Sequence, residues 1–195
     1  MKKQRIPLLL VLGILLVLIS LSLMIFYHMR MHLGAQQSQR IVSELDRILP
    51  ERTAGVPGIY LDPGMPVLQI EGVDYVAMIE IPSFDVTLPV ANKWNVDQLS
   101  DAPARFFGSA YDSTLIIGGT DHPQQFRFCD AIEHGALVIV TDMTGTQFTY
   151  AVSAVDRAEH AQTQWLTEGD CDLTLFCHDV YSMEYIAVRC VLAYR

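Results

Sequence analysis

The chain opens on an unbroken apolar stretch and then changes rhythm twice. Residues 6–27, IPLLLVLGILLVLISLSLMIFY, carry no charged side chain. As a helix, the stretch would reach about 33 Å, enough to cross the hydrocarbon core of a bilayer. Residues 36–49 then place Ile41, Leu45, Ile48 and Leu49 at spacings of three and four, which predicts an amphipathic helix that serves as a stalk or packs on the domain after it. Glycine and proline interrupt residues 50–66, so neither helix nor strand persists there and a domain boundary is expected.

From Val67 onward the pattern is that of short strands bounded by Gly, Pro, Asp or Asn: VLQI, YVAMIEI ending at Pro82, VTLPV, and STLIIG over residues 113–118. Residues 95–107 predict a short helix cut by Pro103, and residues 126–134 a helix closed by Gly135. Residues 136–142 and 146–155 form the clearest hairpin, with Met143, Thr144 and Gly145 at its turn. A polar connection over 156–170 with one helical turn leads to CDLTLFCH at 171–178 and a last strand at 185–194. The sum predicts a mainly β domain of about eight strands with short helices, more easily closed as a barrel than stacked as a sandwich. The expected division is a cytoplasmic tail 1–5, a transmembrane anchor 6–27, an extracytoplasmic stalk and linker 28–66, and the barrel domain 67–195.

Charge narrows the class. The net charge is −9, the only lysines are Lys2, Lys3 and Lys93, and no basic run occurs, which argues against nucleic acid as a partner. Lys2, Lys3 and Arg5 precede the apolar stretch and only Arg30 follows closely, so the positive-inside bias predicts a single-pass cell-membrane protein with its N-terminus in the cytoplasm and its domain outside. The stretch is longer than the apolar core of about 7–15 residues expected of a cleaved signal peptide. Four cysteines, Cys129, Cys171, Cys177 and Cys190, are too few and too widely spaced for a zinc knuckle or a disulfide-dense scaffold.

Candidate chemistry gathers where the strand 173–177 opens into a loop, at Cys177 and His178. Here the sequence resembles the sortases, membrane-anchored cysteine transpeptidases of Gram-positive bacteria. The resemblance runs from about Tyr75 to the C-terminus. It is carried by Ile79-Glu80-Ile81-Pro82 followed by Leu88-Pro89-Val90, by Gly108-Ser109 before the strand of 113–119, by the helix-Gly-hairpin block ending in Phe148-Thr149-Tyr150-Ala151-Val152, and by the closing LTLFC with its partner strand. It implies a closed sortase-type β-barrel and attack by a cysteine on a sorting-signal peptide of a secreted protein. The thioacyl enzyme is then resolved by an amine, on a cell-wall precursor or a pilin lysine. No cofactor is implied, and the set Asp121, His122, Cys177 and His178 lacks the spacing of a zinc motif.

Residue by residue, the resemblance implies Cys177 as nucleophile, His122 as acid and base, and Arg189 as the group that steadies the oxyanion or the peptide. These types suit the roles, because a thiol needs a neighbouring cation to ionise, an imidazole exchanges protons near pH 7 and a guanidinium is a permanent donor. Asp121 is placed to orient His122 or to stand as an ordinary turn aspartate. The motifs depart from the family pattern at three points. The family's GH becomes Gly119-Thr120, with His122 two residues further on. In TLxTC, aligning Thr174-Leu175 without a gap puts His178 at the nucleophile position, whereas aligning cysteine with cysteine puts Leu173-Thr174 at the TL positions. The usual arginine falls nearer Tyr185 than Arg189.

The two registers point Cys177 to opposite faces of its strand, and a bulge at Phe176 would reconcile them. A thiol facing the barrel interior would count against catalysis. The alternative is a catalytically degenerate sortase-fold protein that binds a peptide or scaffolds an assembly. Cys171 and Cys190 lie on consecutive strands, and a disulfide between them stays open.

Overall fold

The computed structural model describes residues 8–55, 64–96, 98–159, 163–179 and 182–193. Lys2, Lys3 and Arg5, on which the expected orientation rests, lie outside these residues, as do residues 56–63 of the Gly/Pro-broken linker.

The apolar stretch and the amphipathic segment form one helix, α1 (Leu8–Ile48), of 41 residues. Residues 10–27 are exposed along their length, and the helix is long and apolar enough to cross a membrane. Beyond it, Gly34, Ser38, Ile41 and Leu45 are buried on one face at steps of four, three and four, the spacing of a helix seated on a neighbour. Ile41 and Leu45 pack with Ile70, Tyr75, Ala102 and Met143. Ser38 Oγ donates to the Asp101 carbonyl at 2.5 Å. At Gly34 an added Cβ would lie 2.4 Å from the Ser100 carbonyl oxygen, so only glycine fits against that turn. The stalk is therefore docked on the domain, with Ile48 left exposed.

The domain is built from β1 (Thr53–Ala54), β2 (Leu68–Ile70), β3 (Val73–Ile81), β4 (Val86–Ala91), β5 (Ala104–Phe107), β6 (Leu115–Thr120), β7 (Leu137–Asp142), β8 (Thr146–Ala158), β9 (Leu173–His178) and β10 (Tyr185–Leu192), with a short helix α2 (Thr163–Thr167) before β9. Neighbouring strands run β8-β10-β9-β6-β5-β4-β3, and β7 joins β3 to β8 and closes the ring, so eight strands form a barrel with β1 and β2 appended. The pairs β4–β5 and β6–β9 are parallel, and the other pairs in the ring are antiparallel. The mainly β closed barrel with short helices thus follows the expectation.

One side chain of each inward pair fills the interior: Val76, Ile79, Ile117, Val140, Phe148, Val152, Leu175 and Val188 are all within 1% of full burial. Burial of such aliphatic and aromatic side chains is the main driving term for closure.

Two local expectations change. Where a helix is expected over 95–107, residues 98–107 form turns and then β5. Proline disfavours helical geometry in the residue before it, and the Pro103 carbonyl instead accepts the Ala91 amide at 2.9 Å, which starts the β4–β5 pairing. The helix expected over 126–134 is a single 3-10 turn, Phe126–Asp130. Phe126, Phe128 and Cys129 all face the core, a density of buried positions that the tight 3-10 winding accommodates better than an amphipathic α-helix. The hairpin of β7 and β8 forms as expected, with Gly145 at φ 82° in its turn.

Asp142 organises that turn from a fully buried position. Its carboxylate accepts the Thr144 and Thr146 amides at 2.8 and 2.9 Å and the Tyr111 hydroxyl at 2.5 Å. Replacing it by alanine would leave all three donors without that acceptor. Asp142→Ala is expected to lower unfolding free energy by roughly 3 kcal/mol, read as a fall in urea midpoint at unchanged slope.

Candidate functional site

The site expected from sequence lies where β6 and β9 end side by side. Because they are parallel and in register, Gly119 stands beside Cys177 and Thr120 beside His178. Across β9, β10 places Ile186 beside Cys177 and Tyr185 beside His178. Side chains alternate between faces along each strand, and the packing shows which is which. Leu173, Leu175 and Cys177 belong to the barrel interior, together with Ile186, Val188 and Cys190. Phe176, Ala187 and Tyr185 belong to a separate cluster on the outer face.

Cys177 therefore points inward. It is 2% exposed, and its thiol donates to the Phe126 carbonyl at 3.6 Å. Cys129 lies behind it, held well above the ordinary thiol range by burial and by its hydrogen bond to Cys177. All four cysteines are free, so no Cys171–Cys190 disulfide forms. Burial, and then the nearby Cys171, also push the Cys190 thiol up. The Cys177 side borders a cleft of about 200 Å³ walled by Asp121, Arg127, Asp130 and Asp179. In that wall Arg127 Nε donates to Asp121 Oδ1 at 3.1 Å.

Arg189 occupies the opposite face. It pairs in register with Thr174, three positions down β9 from Cys177, and it is 6% exposed. Its guanidinium donates to the Leu166 carbonyl (2.7 Å), the Trp165 carbonyl (2.6 Å), Thr174 Oγ1 (3.2 Å) and Asp156 Oδ2 (3.0 Å), and lies 5.3 Å from the centre of the Trp165 ring. These contacts fasten α2 to the outside of the sheet. Arg189 is thus engaged in holding structure, away from the thiol.

His122 stands in the turn after β6. Its Nδ1 accepts the Gln124 amide at 3.3 Å, and among the described residues no hydrogen bond joins it to Cys177. Burial lowers its pKa, as do Arg127, His32 and His28, while Asp121 opposes them. Among the described residues no hydrogen bond joins Cys177, His122 and Arg189 to one another, and Arg189 lies on the other face of the sheet from the thiol. Asp121 serves Arg127 rather than His122, and among the described residues no group of three or more His, Cys, Asp or Glu side chains is arranged to hold a metal ion.

What the register does join is a row on the strand ends: Thr120, His178 and Tyr185. The His178 and Tyr185 rings meet edge-on at 4.8 Å. Thr120 Oγ1 donates to Gln125 Oε1 at 2.8 Å. Thr120 and His178 are the positions that the ungapped motifs indicate for the family's histidine and cysteine, and Tyr185 is the residue near which its arginine is expected. Each substitution is readable in the sequence singly, but their adjacency depends on pairing across strands. Next to the row lies an aromatic group that sequence reasoning did not single out. Trp94 stacks on Phe176 (5.4 Å, 25°) with Phe106 edge-on to both, over Gly118, where any Cβ would meet Trp94 at 2.3 Å.

Fold and site thus define a closed eight-stranded barrel with its candidate residues at the end of a parallel strand pair. Residues 79–193 match the sortase domain family, and the chain belongs to that family. Among similar solved structures are sortase A from Corynebacterium diphtheriae (18% identity, TM-score 0.56, covering 63% of this chain and 62% of that one) and sortase C1 from Streptococcus agalactiae (20%, 0.56, 65% and 72%). A third is sortase C from Clostridium perfringens with the C-terminal cell wall sorting motif (18%, 0.50, 60% and 70%). The chain spans less than two thirds of the length of the C. diphtheriae enzyme. Identities this low speak to fold alone. No curated protein matches the sequence.

Arg189→Ala should destabilise the protein by about 3 kcal/mol, because it strips a buried cation from its partners and frees α2; thermal unfolding checks this. For His122 the folded pKa lies below the unfolded value near 6.5. Its contribution to stability is therefore present above that value and lost as pH falls through the folded pKa. The pH profile of unfolding should be flatter on that acid limb in His122→Gln.

Proposed function

We propose that this protein is a membrane-anchored member of the sortase family that holds an extended peptide at the Thr120–His178–Tyr185 end of its barrel without thioacyl chemistry, acting as a peptide receptor or assembly scaffold. The observation that carries the reading is the register of β6, β9 and β10. It aligns a hydroxyl, an imidazole and a phenol in one row and turns the Cys177 thiol to the other face. Imidazole and phenol offer donors and acceptors to peptide carbonyl and amide groups. The adjoining Trp94, Phe106 and Phe176 supply an apolar border.

The expected partner is a sorting-signal peptide of a secreted protein, of the kind seen with the C. perfringens sortase C. The apolar part of α1 supplies the anchor, with the N-terminus in the cytoplasm and the barrel outside.

A second reading, cysteine transpeptidase transfer of such a peptide to an amine, is favoured by one observation. Cys177 borders the cleft that also contains Arg127, a cation that could support a thiolate. One experiment separates the two. The full chain in detergent is incubated with a sorting-motif peptide carrying a thiol-reactive group, and intact mass is recorded beside the affinity of the unreactive peptide. Binding weakened about tenfold by His178→Ala, unchanged by Cys177→Ala and without an adduct, is the expected result. An adduct at Cys177 would establish the transpeptidase reading in its place.

A further inference from the structure

Because α1 runs unbroken from its apolar part into its docked part, the position of each barrel loop along the helix axis is also its height above the apolar segment. The docked face begins at Gly34, seven residues past Tyr27 and so about 10 Å along the axis. There the turn at 99–101 sits on the helix through Gly34 and Ser38. The loop after β6 is tied to that same turn, since Gln125 Nε2 donates to the Leu99 and Ser100 carbonyls at 2.9 and 3.2 Å. β6 ends here beside His178 and Tyr185, at the opposite end of the sheet from the Gly145 turn, and His32 and His28 of α1 are among the groups that lower the His122 pKa.

The other pole of the barrel is fixed at the far end of the helix. A Cβ on Gly145 would lie 3.0 Å from the Pro50 carbonyl oxygen, and the Thr53 amide donates to the Gly145 carbonyl at 2.9 Å. From His28 to Ile48 the helix spans about 30 Å, so the two poles are well separated in height.

The lipid headgroup layer is about 5–7 Å deep on each side of the hydrocarbon core. A loop tied about 10 Å above the apolar segment, at the end of the barrel nearer that segment, lies against this layer. Its tip suits such a surface. Pro123 and Gln124 are exposed and uncharged, and the Asp121 carboxylate is paired with Arg127, which limits repulsion from anionic lipid.

We propose that the loop 121–124 is a membrane-contacting surface: docking of residues 34–45 of α1 holds this loop in the lipid headgroup layer and turns the Thr120–His178–Tyr185 row toward the bilayer. The row lies on the same pole because Thr120 precedes the loop directly. The proposal rests on membrane anchoring by α1.

The test uses the full chain in phosphatidylcholine nanodiscs, with and without a lipid bearing a nitroxide on its headgroup, and reads amide NMR intensities. The expected result is selective loss of the Asp121, His122 and Gln124 signals while those of Thr144, Gly145 and Thr146 persist. Gly34→Leu, which puts a side chain where Ser100 stands, should keep the chain on the discs and abolish the difference between the two loops. Equal loss at both loops, or a wild-type pattern that survives Gly34→Leu, overturns the proposal. A chain that does not co-purify with the discs overturns the anchoring beneath it. Peptide affinity of the row is measured separately, so the binding reading stands or falls by its own experiment.

Discussion

The register between β6 and β9 is the constraint on which the rest of the candidate site depends. Parallel neighbours share a direction, so Thr120 and His178 end at the same place and their following loops emerge together. Antiparallel pairing of β9 with β10 then brings Tyr185 back to that place. A shift by one residue in either pairing would exchange inner and outer faces along the whole strand. That exchange would expose Leu173, Leu175 and Cys177 and drive Thr174, Phe176 and His178 into the core. The burial of the first set against the interior makes such a shift costly, since each aliphatic side chain contributes on the order of 1.5–3 kcal/mol. The inward direction of Cys177 is thus set by the apolar residues on either side of it rather than by the thiol.

The outer face is held by different means. Arg189 binds two carbonyls of α2, one hydroxyl and one carboxylate, which satisfies a buried guanidinium without charge to spare for a neighbouring reaction. Beside it the aromatic group of Trp94, Phe106 and Phe176 covers Gly118. Beyond these two fixtures, at the strand ends, His178 and Tyr185 are half-buried and meet edge-on. Structure-keeping and candidate recognition therefore occupy adjoining stretches of one sheet face.

Much of the fold was legible because its signals are local. The uncharged run at the N-terminus, the apolar run of β3, the Gly145 turn and the closing LTLFC all act within a few residues, and each element appears where its pattern lies. The errors have non-local causes. Residues 104–107 become a strand because β4 and β6 flank them, and residues 126–130 wind as a 3-10 turn because three of their side chains must reach the core. The candidate site was legible as separate departures from a motif. Which face Cys177 takes, and that Arg189 lies across the sheet from it, follow from strand pairing over tens of residues, which no local pattern records.

The parallel ending of β6 and β9 also bears on how a fold of this kind can change. Thr120, His178 and Tyr185 are the last or first residues of their strands, bordering loops and carrying little of the interior packing, whereas the barrel closes through β7 and through side chains well below them. Substitutions at such rims usually cost little stability, while those in the packed interior cost much. A lineage can therefore exchange the side chains that perform a reaction while the scaffold beneath them stays under selection for folding. In this architecture the capacity to fold and the capacity to react are inherited separately.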